Sequence, residues 1–173
     1  ITETGAPLVR LKTAAGPSNP IPVLLTDLPI SATPMDTKWD APRPLVLPVA
    51  ACGLLAKENE THRYRFRAVK GRGYAFEVGA RQYDSRTDPV LSIHNPGGGE
   101  IAMNDDTLGQ DPRIEWTAPS DGEFDLAVRD LHRRGGPNFT YVLSARESGP
   151  DFTVRCDDDK AKISSALDEL KEA

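Results

Sequence analysis

The stretch His62-Arg63-Tyr64-Arg65-Phe66-Arg67-Ala68-Val69, then Lys70-Gly71-Arg72-Gly73, then Tyr74-Ala75-Phe76-Glu77-Val78-Gly79-Ala80-Arg81, decides the fold. Tyr64, Phe66 and Ala68 alternate with Arg63, Arg65 and Arg67. A period of two puts one set on each face of an extended chain. After a Gly-rich turn, Tyr74, Phe76, Val78 and Ala80 repeat the pattern. Two half-buried strands joined by a turn follow from this spacing.

The same alternation continues outward. Leu91 and Ile93, Ile114 and Trp116, then Phe124, Leu126 and Val128 each mark the buried side of a further strand. Phe139, Tyr141, Leu143 and Ala145 mark another, and Glu100 to Met103 reads as a short one. Asn95-Pro96-Gly97-Gly98-Gly99 and Pro119-Ser120-Asp121-Gly122 supply turns between them. About seven strands with no helix between them predict an all-β chain, an antiparallel β-sandwich of jelly-roll type.

The flanks read differently. Residues 1–50 form an extended Pro-rich segment, with Val23-Leu24-Leu25 and Leu45-Val46-Leu47 set between prolines. Such runs suit edge strands or linker. Residues 1–30, with Gly16-Pro17-Ser18-Asn19-Pro20, also look like the closing strands of a preceding domain of immunoglobulin-like type. Residues 51–155 hold the sandwich. In 156–173, Asp157-Asp158-Asp159 can cap a helix start, and Ile163, Leu167 and Leu170 lie at helical spacing, so a short C-terminal helix is expected.

Composition narrows the function. With 38% hydrophobic and 27% charged residues among 173, the chain can bury a core, which a disordered chain cannot. Fifteen prolines and 14 glycines favour short strands and turns. The net charge of −5 argues against nucleic acid, which selects a basic face. No apolar run reaches the ~20 residues of a membrane span. The opening Ile1-Thr2-Glu3, without an initiator Met, reads as part of a longer protein. Cys52 and Cys156 are too few and too far apart for a CxxC zinc site. They are either two unrelated thiols or a disulfide joining the first and last strands.

No catalytic set stands out: there is no GxSxG elbow, HExxH or Walker loop. His62, His94 and His132 read as surface or strand-end histidines, and the chain is not read as an enzyme. The arginine stripe reads as a solvated face answered by Glu77 and other acids on neighbouring strands. The acidic loop Met103-Asn104-Asp105-Asp106-Thr107-Leu108-Gly109-Gln110-Asp111 is the one candidate site. Clustered carboxylates and amides on a bent loop suit a hard cation such as Ca2+, although the same residues also make a solvated turn. Asp130 shares the inward parity of Phe124, Leu126 and Val128, and a buried carboxylate needs a partner. That partner is either a cation shared with the loop or an arginine, with Arg113, Arg129 and Arg133 the candidates.

Several stretches then line up in order: Cys52-Gly53-Leu54, Tyr64-Arg65-Phe66, Gly73-Tyr74-Ala75-Phe76-Glu77-Val78, Asp88-Pro89-Val90-Leu91 and Asn104-Asp105-Asp106. They continue with Ala118-Pro119-Ser120-Asp121-Gly122-Glu123-Phe124, Val128-Arg129-Asp130 and Tyr141-Val142-Leu143. Through them residues 51–152 resemble the bacterial pre-peptidase C-terminal (PPC) domain, similar in fold to collagen-binding modules of clostridial collagenases. The resemblance implies a secreted, periplasmic or cell-surface location and an accessory role in substrate binding, targeting or folding. Its partners would be neighbouring domains of one parent protein and an extracellular protein or glycan. Because some relatives bind calcium, it implies Ca2+ held by Asp105, Asp106, Asp111 and Asp130. The chain departs from the family pattern at His62-Arg63, where an acidic residue is usual, and at Thr33-Pro34-Met35-Asp36. The competing function is a purely structural spacer. A polymer site usually offers an aromatic platform, but aromatics are only 6% here and most have inward parity. Trp39 and Tyr83, in expected loops, are the exceptions, so binding is not strongly favoured.

Overall fold

The computed structural model describes residues 7–33, 41–107 and 111–148. The expected C-terminal helix, Cys156 with its disulfide alternative, and Trp39 lie outside the described residues. Four two-residue strands come first: β1 (Leu8–Val9) pairs β4 (Ile21–Pro22), and β2 (Lys12–Thr13) pairs β3 (Gly16–Pro17). Next come β5 (Ile30–Ala32), β6 (Arg43–Pro44), β7 (Val49–Leu54), β8 (Thr61–Ala68) and β9 (Gly73–Gly79). A 3-10 turn, Arg81–Tyr83, precedes β10 (Pro89–His94), β11 (Glu100–Asn104), β12 (Arg113–Thr117), β13 (Gly122–Asp130) and β14 (Thr140–Glu147). Among the described residues no helix is long and apolar enough to cross a membrane.

Two five-stranded sheets form, in the orders β11-β10-β13-β8-β6 and β12-β9-β14-β7-β5. We call them the first and second sheets. Their inner faces share one core, including Phe66, Leu91, Ile93 and Leu126 from the first and Phe76, Val78 and Leu143 from the second. The inward parities expected for β8, β9 and β13 are those observed. Aromatic packing dominates one end: Phe66 lies 4.9 Å from Phe76, and Trp116 lies 4.8 Å from Phe124, ring centre to ring centre. Edge-to-face pairs of this kind add about 0.5–1.5 kcal/mol each beyond burial.

The wholly antiparallel expectation is corrected at two edges. β5 pairs β7 and β6 pairs β8 in parallel, so both sheets are mixed. Two pieces of the Pro-rich segment expected as linker thus close the sandwich. Ala50 donates its N–H to Pro29, and Thr33 donates to Cys52. Strands of two or three residues carry no readable period, and proline is tolerated at a sheet edge. The first and last core strands, β7 and β14, are adjacent, with Val142 opposite Cys52.

Gly53 is among the glycines required by close approach. Tyr141 lies opposite Gly53, and its ring crosses the position a Gly53 side chain would fill. The Tyr141 hydroxyl is held by two buried partners, so the ring cannot swing aside. Gly53→Ala is expected to cost about 1–3 kcal/mol by overpacking. A denaturant midpoint equal to wild type would show that the ring does not cross this position.

Candidate functional site

Asp130 ends β13 with no exposed surface. Its carboxylate accepts hydrogen bonds from the N–H groups of Asp88 at 2.9 Å, His132 at 3.0 Å and Arg134 at 3.0 Å. The Arg134 guanidinium adds two more, from Nε at 3.1 Å and Nη2 at 3.0 Å. Burial pushes the carboxyl up, yet the Arg134 and backbone hydrogen bonds hold it below the usual carboxylate range. The turn that brings Arg134 back passes through Arg133 at φ 61°. Arg134 also stacks over Phe139, its guanidinium carbon 5.5 Å from the ring centre.

The partner of Asp130 is therefore an arginine, and it is Arg134 rather than any of the three expected. Arg113 pairs with Glu115 at 2.6 Å, Arg129 reaches the Asp130 carbonyl at 3.3 Å, and Arg133 reaches Thr61 Oγ1 at 3.4 Å. A four-residue separation across an irregular turn has no sequence signature comparable to the helical i,i+4 rule.

Asp111 is also consumed. Only 2% exposed, it accepts from the backbone N–H groups of Ala80, Arg81 and Gln82 at 3.0, 3.1 and 3.4 Å. Those are the orphan donors that open the 3-10 turn. Asp105 is half-buried and Asp106 exposed, beyond the end of β11 in the first sheet, whereas Asp111 leads into β12 of the second. Among the described residues no three His, Cys, Asp or Glu side chains converge as metal ligands do. Asp111 and Asp130 thus each accept from several protein donors, and the described residues do not bring the four carboxylates together as one group.

The arginine stripe is answered, as expected, by acids of a neighbouring strand, but not by Glu77. Glu77 lies in the second sheet, whereas Arg65 makes a bidentate pair with Asp125 of β13, at 2.7 and 3.0 Å, beside Glu123 at 3.9 Å.

Sequence reasoning missed His62. It is 1% exposed, not a surface or strand-end residue. Its Nδ1 lies 2.6 Å from the Tyr141 hydroxyl, which lies 2.7 Å from the Tyr64 hydroxyl, and its Nε2 lies 3.4 Å from Glu60 Oε1. A tautomer with Nε2–H towards Glu60 leaves Nδ1 to accept from Tyr141, which then accepts from Tyr64. Burial lowers the imidazole to about 4 against the opposing pull of Glu60. Burial likewise raises Tyr141 well above the usual phenol range. The parity of His62 with Tyr64 and Phe66 was the available signal. This chain of polar groups ties β8 to β14 across the sandwich and presents no reactive atom to solvent.

No protein-family model matches the chain, and no curated protein sequence is significantly similar to it. Among solved structures, the pre-peptidase C-terminal domain of collagenase from Bacillus anthracis superposes with TM-score 0.51 at 17% identity, covering 64% of this chain and 100% of that domain. A periplasmic inhibitor of g-type lysozyme, PliG from Aeromonas hydrophila, gives TM-score 0.44 at 16% identity over 69% of this chain and 98% of its own. A PliG mutant from Escherichia coli gives 0.42 at 14% over 69% and 99%. In fold, the sandwich of this chain is that of a pre-peptidase C-terminal domain.

Proposed function

We propose that this jelly-roll sandwich is a non-catalytic accessory module of a larger exported bacterial protein, serving substrate binding, targeting or folding. The observation that carries this reading is the fate of the chemically capable groups. His62, Asp111 and Asp130 are all buried and spend their polar atoms on the protein's own donors and acceptors. A collagenase that carries a domain of this fold supports the accessory role.

The outer face of the first sheet is the surface offered to a protein or glycan polymer. It carries Arg63, Arg65 and Arg67 on β8 and the exposed Met103 on β11. The second sheet's outer face lies against residues 21–28. Co-sedimentation with insoluble collagen and with insoluble glycan tests the reading. Retention on one polymer, reduced by Arg67→Glu with Met103→Asp, is the expected result. Absence of retention on both would favour the spacer. Hydrolysis of peptide or ester substrates above blank would overturn both.

A further inference from the structure

A cleft of about 450 Å³ opens between the second sheet and the N-terminal segment. Its floor is a cross-strand row set by register: Cys52 on β7 faces Val142 on β14, which faces Gly79 on β9. These positions have the opposite parity to the core residues Ala51, Leu143 and Val78, so they lie on the outer face. Small side chains along the row leave the hollow. Residues 21–24 form the facing wall, and Tyr83 from the 3-10 turn closes one end, its ring edge 2.8 Å from where a Gly79 side chain would begin.

No charged side chain lines this cleft among the described residues. The adjoining hollow under the same segment differs: about 170 Å³, it is lined by Asp27, Glu77, Arg113 and Arg146 among others. Apolar lining is therefore a property of this one cleft and not of the whole contact. Burying an ion where nothing answers its charge is costly, whereas a volume of this size and lining suits a small apolar ligand. We propose that the cleft binds an uncharged, apolar small molecule, held between Ile21 and Leu24 on one side and Cys52, Gly79 and Val142 on the other, with Tyr83 as the end stop. This site is independent of the polymer-binding face, which belongs to the other sheet.

The full chain is titrated with neutral N-phenyl-naphthylamine, whose fluorescence rises in apolar surroundings. Saturable one-to-one binding is expected, with Kd in about the 1–100 µM range for a ligand of this size. Val142→Phe fills the floor and should weaken binding at least about tenfold while the protein melts as a single folded unit. Ile21→Asp, on the exposed wall where folding is not at stake, should weaken it similarly. Met103→Ser, on the other sheet, should leave it unchanged. Saturating probe should also slow alkylation of Cys52. Fluorescence that never saturates, wild-type affinity in Ile21→Asp, or equal affinity for the anionic sulfonate analogue of the probe would each overturn the proposal.

Discussion

Asp130→Ala is expected to destabilise the protein by about 3–5 kcal/mol, chiefly because backbone donors left without their buried acceptor cost about 1–3 kcal/mol each. The change strands three backbone N–H groups, those of Asp88, His132 and Arg134, and leaves the Arg134 guanidinium without its carboxylate. At about 2–4 °C per kcal/mol, the melting temperature should fall by roughly 6–20 °C. Arg134→Gln should cost less, about 1–2 kcal/mol, because the three backbone donors still hold the carboxylate. The two changes should be strongly non-additive, since they remove parts of one network. Melting in calcium and in chelator separates this account from a cation site. With Arg134 as partner the wild type melts alike in both. A calcium-dependent rise abolished by Asp130→Ala would show that the carboxylate serves a metal instead.

Acid should destabilise the protein before its carboxylates titrate. His62 is lowered to about 4 from an ordinary value of 6.5. Between those values the unfolded chain binds a proton that the folded chain refuses. Stability is therefore full above about pH 6.5, falls as the pH drops, and levels off near pH 4. The total loss at this one residue is about 3 kcal/mol. The depressed Asp130 contributes in a separate window, because its share disappears only below the ordinary carboxylate value of about 4. Urea unfolding near pH 7 and near pH 4.5 should show the drop in wild type. His62→Phe should be less stable at neutral pH, having left Tyr141 without that partner, and should lose most of the pH dependence. An imidazole that titrates near 6.5 in the folded protein would remove the basis for this expectation.

The alternation of Tyr64, Phe66 and Ala68, and of Phe124, Leu126 and Val128, was enough to place β8 and β13 and to say which residues face the core. Alternation is a property of extended backbone itself, so it needs no knowledge of neighbours. The same reasoning put Asp130 inside and required a partner for it. It would have put His62 inside too, had its parity been followed to the start of the strand. Strands β9 and β10 look half-buried in sequence, yet Ala75 and Val90 on their outer sides are 7% and 1% exposed. Ala75 borders a hollow under residues 24–28, a coverage no local pattern announces.

Partners were decided by the tertiary structure. Asp130 meets Arg134 because a turn through a positive φ brings the chain back, and Arg65 meets Asp125 because β13, not β9, lies beside β8. Asp111 left the acidic loop's company to cap a turn 30 residues away, counted to Arg81, and Tyr141 found His62 across a separation of 79. Sequence by itself determined which faces are apolar, because that depends on each residue and its near neighbours. Which carboxylate meets which donor depends on strand order and sheet stacking, and those are chosen by the packing of the whole core.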